Sequence, residues 1–206
     1  MTIWPFVALG LLGLYHGVNP GMGWLMAVGR GLQEKSRREL FVSLLPIAVG
    51  HELSVVLVVG GVLVTQAFLP PHTIRLLAAL VLVSFGVYKI WKPLGHPRGA
   101  GMRMSLFALG GWSFMMASAH GAGLMLAPVL LGLPLADSYA DPSALGVLAV
   151  TLSAVHVTVM MATMAVVAAV VYERVGLAVL RRGWVNLDLG WAAILVISGV
   201  VALVLP

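Results

Sequence analysis

Four histidines, His16, His51, His120 and His156, stand inside long apolar stretches, where a polar ring is costly unless it faces protein or a water-filled cavity. Neutral imidazole is a common metal ligand. One such histidine is most often a hydrogen-bonded packing residue, but four in matched places point to a shared metal site. His72 and His96 fall at helix ends or in linkers and read as solvated. Met116 lies one turn before His120 and Met160 one turn after His156, a spacing that puts each pair on one helix face. Thioether with imidazole suits copper(I), whereas imidazole with carboxylate or water suits nickel, cobalt or zinc. Methionine is also an ordinary gap filler in apolar packing.

Glu52 is the acidic residue deepest in an apolar run, and it could serve as a metal ligand, a proton carrier or the partner of a basic group. Neighbours on a helix point about 100° apart, so His51 and Glu52 do not both face one small ion on a regular helix. Asn19 and Met22 join the candidate ligands because they flank Pro20 in the stretch Gly13 to Trp24. A proline there removes a backbone N–H and crowds the carbonyl one turn back, which predicts a kinked or opened helix near His16. Pro20 and Pro128 are therefore candidate hinges. Gly13, Gly17 and Gly21 form a small-residue ridge, as do Ala117 and Gly121, and such ridges serve close helix packing. The chain has no cysteine, which excludes thiolate metal sites, disulfides and dithiol redox chemistry.

The elements that must position these residues are transmembrane helices. Of 206 residues, 61% are hydrophobic and 9% charged, and the mean hydropathy is +1.05. That is the makeup of an all-α integral membrane protein. About 20 apolar residues are needed to cross a bilayer as a helix, and six segments qualify: 3–29, 41–65, 72–91, 105–133, 144–172 and 184–205. The first is read as a retained helix, because it has no charged leader or small-residue cleavage site. The net charge of +5 comes from short basic clusters between apolar runs, a topological pattern that does not call for nucleic acid. Linkers one, three and five are basic, while linkers two and four are neutral or acidic. The positive-inside rule then gives a multi-pass protein of a bacterial inner membrane with both termini outside, on the periplasmic side.

The chain also resembles itself. Phe6 to Gly10 leading to His16-Gly17 matches Phe107 to Gly110 leading to His120-Gly121, and Gly50-His51 in the second segment answers Val155-His156 in the fifth. A weaker match joins Ser84-Phe85-Gly86 to Ser198-Gly199. Two similar units of three helices must insert with opposite orientation, since three is odd. The expected architecture is thus one transmembrane domain over 1–206, an inverted 3+3 repeat with units of about 1–92 and 105–206. In such folds the substrate site lies near the midplane, at the repeat interface, on broken helices.

The pattern Gly13-x-x-His16-Gly17-x-x-Pro20-Gly21-x-Gly23, followed by Gly50-His51-Glu52-Leu53-Ser54, resembles the nickel/cobalt efflux (NicO-like) group of the LysE transporter superfamily. The likeness covers the first two segments well and the remainder only by architecture. It implies a divalent-cation exporter with His16 and His51 as the transferable ligand positions. Where members of that group usually carry Pro-Gly-His-Gly, this chain has Pro20-Gly21-Met22-Gly23, and the group's long histidine-rich loop is absent. A thioether in place of a ring nitrogen shifts the preference toward a softer ion.

The resulting expectation is a transporter that moves a transition-metal ion (nickel, cobalt, copper or zinc) by alternating access through a midplane site. The site would draw on His16, Asn19, Met22, His51, Glu52, Met116, His120, His156 and Met160. A rival expectation is a membrane-embedded metalloenzyme or redox subunit in which the same histidines hold a fixed metal or a haem. The partners expected are the lipid bilayer and the ion, with a homo-oligomer or a membrane partner protein compatible with either reading.

Overall fold

Long runs free of charge commit to helix in lipid, because no other local structure satisfies every backbone N–H and C=O. The computed structural model describes residues 3–65, 68–92, 104–131, 142–175 and 187–204, and among these every regular element is helical. They are α1 (Trp4–Val18), a 3₁₀ turn (Pro20–Met22), α2 (Trp24–Gln33), α3 (Arg37–Thr65), α4 (Pro71–Trp91), α5 (Leu106–His120), α6 (Ala122–Leu131), α7 (Pro142–Val170) with a π turn (Val171–Val175), and α8 (Leu187–Val204). His96, Arg98, Arg103, Asp137, Asp141, Arg181 and Arg182 lie outside the described residues.

Among the described residues three helices are long and apolar enough to cross a membrane, over Arg37–Val62, His72–Trp91 and Gly146–Arg174. Trp4–Val18 and Ala192–Val204 are apolar but shorter. The segments 3–29 and 105–133 are not continuous helices: each is broken just after its histidine. On α3, Leu45, Val49, Leu53, Val56 and Leu57 are exposed while His51 and Ser54 are buried. Apolar side chains outward and polar ones inward is the arrangement of a membrane protein.

The helices pair α1 with α7, α3 with α5, and α4 with α8. Small residues make these approaches. A Cβ on Gly13 would fall 2.5 Å from the carbonyl oxygen of His156, and one on Gly17 would fall 2.6 Å from that of Met160. On the second pair, a Cβ on Gly50 would overlap the Gly110 carbonyl. The third pairing is reciprocal, with Gly86 against Ala192 and Val196, and Gly199 against Ala79 and Val83. α1 and α5 have 15 residues each.

Two apolar clusters fill the interior. One gathers Met22, Leu40, Leu44, Ile47, Met160 and Met164. The other gathers Leu9, Val55, Val59, Leu126, Ala149 and Leu152. Leu44 and Ile47 precede His51 on α3 whereas Val55 and Val59 follow it; on α7, Ala149 and Leu152 precede His156 and Met160 and Met164 follow it. The clusters therefore lie on opposite sides of the histidine level. At the end nearer the first cluster, Arg30 bonds Glu39 at 2.9 Å and donates to the Met104 carbonyl at 3.0 Å, and Arg37 pairs with Glu173 at 3.0 Å. Arg30, Arg37, Glu39, Met104 and Glu173 thus gather at one end of the described helices.

Candidate metal centre

The site begins at the break after α1. Asn19 precedes a proline and is extended (ψ 116°), as steric clash with the proline ring demands, so the helix stops at Val18. The Asn19 side-chain oxygen accepts from the Gly21 N–H at 2.9 Å, and the Trp24 indole donates to the Val18 carbonyl at 3.0 Å. These bonds satisfy backbone groups that a helix end leaves open. Gly23, at φ 116°, restarts the chain as α2 in a conformation that suits only glycine.

His16 occupies the last turn of α1 and is fully buried. Its Nδ1 donates to the Leu12 carbonyl at 2.8 Å, which leaves Nε2 as the nitrogen with a lone pair. His156, also fully buried, donates from Nδ1 to the Leu9 carbonyl at 3.2 Å across the α1–α7 contact. Metal-bound histidines are oriented in this way, with the second nitrogen held by a carbonyl or carboxylate. His51 reaches the same point from α3. Ring centroids are 4.9 Å apart for His16–His156, 5.3 Å for His16–His51 and 5.5 Å for His51–His156. One nitrogen from each of the three lies within 4.8 Å of the others. The Nε2 atoms of His51 and His156 are 3.4 Å apart. Two imidazoles on a tetrahedral ion, with metal–nitrogen bonds of about 2.05 Å, place their nitrogens about 3.3 Å apart. The His51–His156 pair is thus at the separation of two ligands on one ion, with a nitrogen of His16 within 4.8 Å of them.

The remaining candidates are distributed around it. His120 is buried in the last turn of α5 with Nδ1 donating to the Met116 carbonyl at 2.7 Å, and it is not a member of the trio. Glu52 also stands outside the trio; its Oε1 accepts a short hydrogen bond from the Ser153 hydroxyl, and its Oε2 is buried with no partner among the described residues. Met22 and Met160 are buried in the first apolar cluster, and Met116 is half-buried. Asn19 is buried with its oxygen committed to the Gly21 amide. Pro20 opens the 3₁₀ turn between α1 and α2. The backbone of α6 runs through Pro128, and the corresponding break falls at Gly121, whose φ is 69°.

Sequence reasoning missed Ser153, which lies one turn before His156 and so on its face of α7. It also missed the hydrogen bonds that join α5 to α3, Ser54 to Ser118 at 2.9 Å and Ser113 to the Ile47 carbonyl at 2.7 Å. Hydroxyls in an apolar helix were the available signal, since they cross-link helices there. No family model, curated protein or solved structure matches the chain.

Proposed function

We propose that the protein is a membrane transporter that moves a divalent transition-metal ion through the His16, His51 and His156 site. The observation that carries this reading is the convergence of three buried imidazoles from three different helices. A donor set of imidazole alone suits borderline ions such as nickel, cobalt and zinc. Ring centroids about 5 Å apart support a bare ion over a haem, whose macrocycle needs more room between its axial ligands. The resemblance to the nickel/cobalt efflux group points to the same class of cargo.

Six membrane crossings in an inverted 3+3 repeat are part of this proposal. Exchanging α1 with α5, α2 with α6, α3 with α7 and α4 with α8 carries the three principal helix pairs into one another. The register that maps His16 onto His120 maps Met22 onto Leu126. The register that maps His51 onto His156 maps Leu44 onto Ala149, Ile47 onto Leu152, Val55 onto Met160 and Val59 onto Met164. Each of these exchanges converts a member of one apolar cluster into a member of the other. The two clusters then act as gates on the two sides of the ion, opened in turn. The first gate faces the cytoplasm, the side on which Arg30 and Arg37 lie.

Flux of cobalt(II), nickel(II) and zinc(II) into proteoliposomes tests the reading. Wild-type protein should carry at least one of the three, and the double substitution H51A/H156A should remove the flux. Equal flux in the double variant, or no flux of any of these ions above protein-free vesicles, would overturn it.

A further inference from the structure

We infer that the bodies that move in transport are the two helix pairs α1–α7 and α3–α5, and that the ion is the clamp at the middle of the seam between them. The inference rests on the transport reading above and names its moving parts. Each body draws one helix from each sequence unit, so the two units do not move as blocks. Inside the bodies backbone meets backbone. Gly13 and Gly17 face the carbonyls of His156 and Met160, Gly50 faces that of Gly110, and Ser113 donates to the Ile47 carbonyl at 2.7 Å. Approaches this close leave no side chain between the helices and hold them in one register.

Between the bodies the contacts are of another kind. α3 and α7 run antiparallel along the seam, Arg37 meeting Glu173 and His51 meeting His156. The first apolar cluster draws Ile47 from α3 and Met160 from α7, and the second draws Val55 and Leu152, so both gates are ends of this one seam. Side chains packed on side chains shift by small rotamer changes, methionine most easily. His16 and His156 both donate from Nδ1 to carbonyls of α1, those of Leu12 and Leu9, and so ride on one body, whereas His51 rides on the other. An ion held by all three ties the bodies at the histidine level, and one end of the seam opens about that point as the other closes. Arg37 lies about 20 Å along α3 from His51, at about 1.5 Å per residue. Its exposed pair with Glu173 joins the bodies at the first end and is weak enough to break as that end opens.

The chain has no cysteine, so introduced pairs report without interference. R37C/E173C, joined across the seam by a short reducible bis-thiosulfonate, should lose cobalt(II) flux by about tenfold or more, as a locked gate does, and regain it on reduction. S54C/S118C replaces hydroxyls that are 2.9 Å apart within the α3–α5 body. Oxidised to a disulfide, it should keep its flux within about twofold, since that body does not open. Unchanged flux in the cross-linked R37C/E173C would overturn the inference, as would flux lost on forming the S54C/S118C disulfide. Each variant before cross-linking is its own control for folding. Spin-label distances in the full chain give a second readout that needs no flux. Zinc(II) should narrow the distribution between labels on R37C/E173C, across the seam, and leave unchanged that between labels on L45C/F107C, two exposed positions within one body. Equal responses of the two pairs, or none in a chain that binds zinc(II), would overturn the inference. If the wild-type chain binds no cobalt(II), nickel(II) or zinc(II), the metal reading itself fails, an outcome distinct from all of these.

Discussion

Glu52 stands beside the candidate ion site yet outside the histidine trio. The residue follows His51 on a regular helix, so its side chain turns away from the trio and finds Ser153 on α7 instead. An anion fixed there favours a doubly charged ion over a singly charged one. E52Q should therefore weaken cobalt(II) binding by on the order of tenfold, the scale of a charge pair in a protein interior, and weaken silver(I) binding less; competitive titration of the two ions checks this, and an equal loss for both would contradict it. S153A should cost about 1–3 kcal/mol by stripping a carboxylate of its donor, measured by chemical unfolding in detergent. The histidines were legible in the sequence because the residue type is rare in apolar helices. Which three converge was not, since that depends on how closely α1 approaches α7, and the glycines that set the approach look like any small-residue ridge.

At the scale of helices, the breaks after His16 and His120 place both rings at helix ends rather than along a rigid rod. The first was legible, because Pro20 cannot continue a helix and Asn19 is a natural turn former. The second falls at Gly121, a left-handed residue that caps α5 with its N–H on the Ala117 and Ser118 carbonyls. A glycine directly after the last helical residue was the available signal. G121A should cost about 1–2 kcal/mol, the penalty of a left-handed conformation on an L-residue. Packing glycines divide just as sharply. G17A would drive a methyl into Met160 and Thr163 of α7 and should lose about 1–3 kcal/mol, as overpacked cores do. Gly10 has open space around its Cβ position, so G10A should be neutral or stabilising by up to about 1 kcal/mol through helix propensity. Thermal melts of the three variants in one detergent give the ranking, and a destabilised G10A beside a stable G17A would contradict the α1–α7 contact.

For the whole molecule, the proposed repeat accounts for the two apolar clusters on either side of the histidines. Basic linkers were the part of this plan most readable from sequence, because their charge is an address that needs no packing to interpret. The contacts of Arg30 with Met104 and of Arg37 with Glu173 join the first linker to the start of α5 and the end of α7. The division of the core into a methionine-rich and an aliphatic cluster was not readable, since both appear in the chain as continuous apolar runs. The absence of native cysteine makes the orientation directly testable. S36C should react with a membrane-impermeant maleimide only in inverted vesicles and F68C only in intact cells; the opposite pattern would reverse the orientation.

An ion held by His16, His51 and His156 is read out by X-ray absorption of the purified chain loaded with cobalt(II). One ion per chain, bound through three imidazole nitrogens, is expected, with the signal lost in H51A/H156A. An ion bound through sulfur, or an unchanged signal in that double variant, would contradict it.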